Sequence, residues 1–101
     1  MEPIPAKELD QYVEKRGYRI IDLRGRQEFA RGHIRGAINA PEGKFGSRLS
    51  GFRQDILILY CERGALSMAV ARELDGEGSQ TKTVVGGIRA YRGDNLVGTL
   101  M

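Results

Sequence analysis

The stretch that decides the fold is Ile56-Leu57-Ile58-Leu59-Tyr60, followed at once by Cys61-Glu62-Arg63-Gly64-Ala65-Leu66 and then Ser67. An unbroken apolar run of this length suits a strand covered on both faces, as inner strands of parallel sheets are. Beyond the glycine-containing loop, Ser67 to Leu74 sets Met68, Ala71 and Leu74 on one face of a helix, with Ser67 suited to its N-cap.

Working outward, Tyr18-Arg19-Ile20-Ile21-Asp22 reads as a strand, as do Ala37-Ile38-Asn39-Ala40 before Pro41 and Thr83-Val84-Val85. Ala6 to Arg16 follows Pro5, puts Leu9, Tyr12 and Val13 on one face and stops at Gly17, which predicts a helix. Gln27 to Arg31 is a short helix ended by Gly32, and Glu42 to Leu49 is weakly helical. The polar segment Asp75 to Lys82 reads as an exposed turn, and Gly86-Gly87 opens a last short helix containing Ile88 and Tyr91. Strands alternating with helices predict one α/β domain over residues 1–101, with a parallel sheet and right-handed crossovers. Ligands of such sheets bind past the carboxyl ends of the strands, here after Tyr60, Asp22 and Val85.

At 101 residues, 41% hydrophobic and 29% charged, the chain has the size and composition of a single globular domain. Its one cysteine cannot form an internal disulfide, and with one histidine there is no Cys/His cluster to call for a metal or other cofactor. The first residues hold no apolar leader, and Ile56 to Cys61 is too short to cross a bilayer. A reducing, cytoplasmic setting without membrane contact is expected. The net charge is +3, with Arg16, Arg19, Arg24, Arg26, Arg31 and Arg35 crowding the first third. Asp22, Glu28 and glycines lie among them without interleaved aromatics, so a solvated, partly ion-paired surface is expected and nucleic acid is not. Such a surface still attracts small anions or an acidic partner.

If the loop after Tyr60 curls over the following helix start, backbone N–H groups converge on the sulfur of Cys61. Gly64 permits the geometry, and the helix end adds its positive field. Such surroundings favour an anionic, reactive sulfur. The same pattern also fits a small apolar cysteine buried at a strand end, and the rest of the chain decides between them.

Ile20-Ile21-Asp22-Leu23-Arg24, Glu28-Phe29, Gly32-His33-Ile34-Arg35-Gly36-Ala37 and Asn39-Ala40-Pro41 occur in that order, and Gly86-Gly87 precedes Tyr91. This set closely resembles the signature of rhodanese-like domains, over about Ile4 to Arg92, with Cys61 where that family keeps its nucleophile. The resemblance implies a central, mostly parallel five-stranded sheet in the order 1-5-4-2-3, flanked by helices on both faces. It implies a sulfurtransferase that takes sulfane sulfur from a small anionic donor such as thiosulfate, or from a low-molecular-weight persulfide. Cys61 would hold the sulfur as a persulfide and pass it to a thiol, cyanide or a protein acceptor. The active-site loop would be Glu62, Arg63, Gly64, Ala65, Leu66 and Ser67, with Asp22 and Arg24 as a supporting ion pair beside it. Leu66 stands where active members commonly carry a polar or cationic residue, which leaves Arg63 as the loop's one cation. Glu62 is expected to point to solvent, Glu28 to reach Arg24, and His33 to bond backbone.

Two other functions fit parts of the pattern. A related phosphatase or arsenate reductase needs an arginine as the sixth residue after the cysteine, and Ser67 stands there. A rhodanese-like module that only binds a partner or senses persulfide would share every motif but transfer no sulfur.

Overall fold

The computed structural model describes residues 1–98. The chain opens with β1 (Glu2–Pro5), a 3-10 helix (Ala6–Tyr12), β2 (Tyr18–Asp22) and α1 (Arg26–Arg31). Two short strands follow, β3 (His33–Ile34) and β4 (Ile38–Asn39), then two 3-10 turns and α2 (Leu49–Phe52). β5 (Ile56–Tyr60), α3 (Ala65–Gly76), β6 (Gln80–Val85), a 3-10 turn (Gly87–Ala90) and β7 (Leu96–Val97) complete it.

The main sheet has the order β1-β6-β5-β2-β4, and every pairing in it is parallel. Numbering only its own strands along the chain gives 1-5-4-2-3, the order the resemblance implies. β5 is central because both of its faces are apolar. Leu57 and Leu59 join Ile21, Phe52, Ala71 and Leu74 on one side, while Ile58 and Tyr60 join Ile4, Leu9, Ile20 and Val84 on the other. Burying each such side chain contributes roughly 1.5–3 kcal/mol. The edges are guarded differently: β1 carries Pro3 and Pro5, and β4 is only two residues long.

Several elements differ from expectation, among them the short strands β3 and β7, which the sequence does not announce. The strand at Glu2–Pro5 is not apparent in a sequence whose second and fourth members are prolines, yet pairing with β6 on one side only is what prolines tolerate. The helix predicted over Ala6 to Arg16 is a 3-10 helix ending at Tyr12. Ala6, Leu9 and Tyr12 recur every third residue, the period at which 3-10 side chains eclipse, and Glu14 (φ 55°) and Gly17 (φ 88°) then turn the chain into β2. β6 begins at Gln80, so part of the expected turn is strand; buried Thr81 donates its hydroxyl to Asp75 at 2.7 Å. α3 begins at Ala65, so Ser67 is its third residue and not its N-cap.

Register fixes where the strands end. Asp22 pairs with Tyr60 across β2 and β5, and the Leu23 N–H donates to the Tyr60 carbonyl at 2.9 Å. The buried Tyr60 hydroxyl donates to Asp22 Oδ2 at 2.7 Å and accepts from the Ile34 N–H at 3.1 Å. Burial, then the Asp22 charge, pushes the phenol far above its ordinary pKa, so it stays a neutral donor. Tyr60→Phe should therefore leave a buried N–H and a carboxylate oxygen short of a partner. An unfolding free energy lower by about 1–3 kcal/mol is expected in urea titration.

Candidate active site

Cys61 leaves β5 at the carboxyl edge of the sheet and is 4% exposed. Its Sγ accepts hydrogen bonds from the Gly64 N–H at 3.1 Å and the Ser67 N–H at 3.3 Å. The first N–H groups of a helix have no intrahelical acceptor, and no side-chain oxygen caps α3. The sulfur takes that place for Ser67. The Ser67 hydroxyl, instead of capping, donates to the Gly64 carbonyl at 3.1 Å and shares a 2.7 Å hydrogen bond with Thr83 on β6.

Two glycines let the loop close. Gly64 sits at φ 109°, and a Cβ there would lie 3.1 Å from the Gly86 nitrogen. Gly87, at φ 65°, lies under the loop; a Cβ would come within 2.4 Å of the Glu62 carbonyl oxygen and 2.6 Å of that of Cys61. Beside it the Ile88 N–H donates to the Cys61 carbonyl at 2.9 Å. The Gly-Gly pair is thus the floor on which the cysteine loop rests. Tyr91 follows the 3-10 turn and is anchored by its hydroxyl, which donates to Asp10 at 2.6 Å.

The expected Asp22–Arg24 scaffold is present. The Arg24 guanidinium donates to both carboxylate oxygens of Asp22, at 2.8 to 3.2 Å, and to the Gly32 carbonyl. Burial alone would lower the Arg24 pKa; the bonds and charge of Asp22 outweigh it, and the value is raised. The predicted Arg24–Glu28 pair is not among the ion pairs of the described residues, because Arg24 faces back to Asp22. Glu62 does more than point to solvent: its carboxylate lies 3.0 Å from Arg89 Nε and 3.6 Å from Arg24 Nη1, tying three loops together. Neither partner is near it in sequence. His33 sits with its Nδ1 2.6 Å from the Phe29 carbonyl and its ring stacked on Phe29, which fits a structural histidine.

In front of Cys61 lies a cleft of about 630 Å³ that also touches Leu23, Arg24, Arg63, Ala65 and Leu66. Arg63, Ala65 and Leu66 are exposed at its rim. Gly25, Glu28, Glu42 and Glu62 complete the lining. From sequence Glu42 is only the start of a weakly helical segment and not a site residue, although the rule that sites lie past strand ends also covers β4, just before it. It sits at φ 58° with its N–H donating to the Leu23 carbonyl at 2.9 Å.

Fold and site together define an α/β domain that presents one recessed cysteine, ringed by backbone donors, at the carboxyl edge of a parallel sheet. The chain belongs to the rhodanese-like domain family, whose sequence profile matches residues 5–94. It is 30% identical over 91 residues to a thiosulfate sulfurtransferase, GlpE, of Pseudomonas putida, covering 88% of this chain and 83% of the relative. It is 36% identical over 73 residues to a tRNA sulfurtransferase of Desulfurococcus amylolyticus. That match covers 72% of this chain but only 14% of the longer protein. A rhodanese-like domain protein from Staphylococcus aureus superposes with a TM-score of 0.82 at 28% identity, over 98% of this chain and 99% of that one. A rhodanese-related protein from Thermoplasma volcanium shares the fold, with a TM-score of 0.78 at 24% identity over 100% of both chains. No helix among the described residues is long and apolar enough to cross a membrane.

If Gly87 is the floor of the loop, Gly87→Ala should cost about 1–3 kcal/mol. Gly17→Ala, also at positive φ (88°) but with nothing within 4 Å of a Cβ, should cost about 1 kcal/mol. Urea titration of both variants separates the clash from the backbone conformation.

Proposed function

We propose that this domain is a sulfurtransferase in which Cys61 carries sulfane sulfur as a persulfide between a small donor and a thiophilic acceptor. The observation that carries the reading is the pair of N–H groups, from Gly64 and Ser67, donated to Sγ. Donors aimed at sulfur stabilise it as an anion without any neighbouring base, because backbone dipoles are fixed and already oriented. This fits a site where His33 is occupied by Phe29 and no other histidine exists.

In the first half-reaction the Cys61 thiolate attacks the sulfane sulfur of the donor. A new S–S bond forms at Cys61, the donor's own bond to that sulfur breaks, and its remainder leaves with the electron pair, as sulfite when thiosulfate is the donor. The added sulfur lies about 2.05 Å further out, towards the loop. There the N–H groups of Ala65 and Leu66, the first two helical residues, lack an intrahelical acceptor. In the second half-reaction a thiolate, cyanide or a protein acceptor attacks the outer sulfur and returns Cys61 to its thiolate. Two displacements through one covalent intermediate give ping-pong kinetics.

Glu62, Arg63, Gly64, Ala65, Leu66 and Ser67 form the substrate loop in this reading. Asp22 and Arg24 hold its base in place. Arg63 supplies attraction for an anionic donor; it makes no ion pair among the described residues. Names of relatives support the reaction class: the Pseudomonas putida relative is a thiosulfate sulfurtransferase.

Cys61→Ser should abolish thiosulfate-to-cyanide transfer while leaving the thermal transition in place, since the chain has one cysteine to hold the sulfur. Intact mass after thiosulfate treatment should show one added sulfur on the wild type, removed by a thiol, and none on the variant. Arg63→Ala should raise the KM for thiosulfate by about three- to tenfold and flatten its salt dependence, as befits an exposed charge-assisted contact. Equal slowing of thiosulfate and a neutral polysulfide would show that Arg63 shapes the loop and binds no anion.

A further inference from the structure

The sulfur cradle is tied to the sheet at one further point. Thr83 sits on β6 with a strand on either side: it pairs with Leu59 of β5, two residues before Cys61, and with Pro3 of β1. It is 1% exposed, and its hydroxyl lies 2.7 Å from that of Ser67 in the first turn of α3. Ser67 is wholly buried. Thr83 therefore bridges the strand layer that fixes Cys61 and the helix that supplies one of the donors to its sulfur.

Counting protons gives that bond its direction. A serine hydroxyl has one hydrogen, and Ser67 directs it to the Gly64 carbonyl at 3.1 Å. Thr83 is then the donor to Ser67. The bonds run from Thr83 through Ser67 to Gly64, and so reach both residues whose N–H groups meet Sγ. Thr81, two residues earlier and on the same face of β6, makes a contrasting tie. Its hydroxyl donates to Asp75, near the far end of α3 and away from the cysteine loop.

Resting on the reading of Cys61 as an anionic sulfur given above, we infer that Thr83 is a positioning residue of the active site. It touches neither substrate nor the reacting sulfur. Acting through Ser67, it keeps the Gly64 and Ser67 N–H groups within hydrogen-bond distance of Sγ. Without the Thr83 proton, Ser67 is held from one side only and its buried oxygen lacks a donor. The N–H groups then relax away from the sulfur. Hydrogen bonds to an anion are stronger than those to a neutral group, so the thiolate loses more by this than the thiol does. Thr81 fastens α3 to the sheet without acting on the sulfur.

The test is alkylation of Cys61, the chain's single cysteine, by iodoacetamide, followed by intact mass; the thiolate is the form that reacts. At about pH 6, Thr83→Val should react about three- to tenfold more slowly than wild type, the loss of part of a hydrogen bond to a charged group. At about pH 9.5, where even an ordinary thiol is mostly ionised, the two rates should agree within about twofold. Thr83→Ser, which restores the donor, and Thr81→Val, which removes only the distal tie, should stay within about twofold of wild type at both. Ser67→Ala should also slow at the lower pH alone, and adding Thr83→Val to it should change nothing further, because the two act in series. The inference is overturned by an unchanged lower-pH rate in Thr83→Val, an equal loss at both pH values, a matching loss in Thr81→Val, or losses that multiply in the double variant. An unchanged lower-pH rate in Ser67→Ala overturns it too, whatever the stability of Thr83→Val. Sulfur transfer is read separately: if these rates hold while the wild type gains no sulfur from thiosulfate, Thr83 keeps its role and only the persulfide chemistry falls.

Discussion

The pairing of Asp22 with Tyr60 across β2 and β5 makes two neighbouring strands stop in step, and the site depends on that shared ending. Leu23 and Cys61 emerge side by side, so the Arg24 ion pair and the cysteine loop stand together without a long excursion of either. The Tyr60 hydroxyl locks the junction by joining Asp22 to the backbone of Ile34. Slipping β2 by one residue would turn Ile20 and Asp22 onto the opposite face. Such a slip would bury the wrong side chains and pull Arg24 out of reach of Glu62, so core packing and site geometry enforce the same register.

Above this junction the sulfur is held by main chain and not by side chains. Gly64 bends the loop, Ser67 turns its N–H inward from the first turn of α3, and Gly87 lets the loop rest on the next turn of chain. Side chains around it are left free to set what comes near. This division explains how Leu66 can occupy the rim without disturbing the cradle, whose N–H groups come from Gly64 and Ser67.

Much of the fold was legible because β5 is unambiguous and its neighbours alternate with helices. The strand ends then located the site, and Cys61, Gly64, Asp22 and Arg24 are where that rule puts them. What escaped was decided by distant partners. β1 is a strand because β6 offers it an edge, which two prolines in four residues do not announce. Ser67 looked like a cap because serine usually is one; the sulfur accepts its N–H, and the helix starts at Ala65. The pairing of Glu62 with Arg89, 27 residues away, is invisible to any local pattern. Glu42 was missed as a site residue because a turn at positive φ, with its N–H on the Leu23 carbonyl, carries it to the cleft, where the pattern suggests the start of a helical segment.

The two edges of the sheet have a consequence for how such a domain lives among others. Pro3 and Pro5 remove amide donors from one border, and the other border is a two-residue strand. Neither offers a ladder on which a foreign strand could grow. Copies of this unit, or unrelated units fused to it, can therefore crowd side by side with their sheets kept apart. The longer Desulfurococcus amylolyticus relative matches this domain over only 14% of its own length.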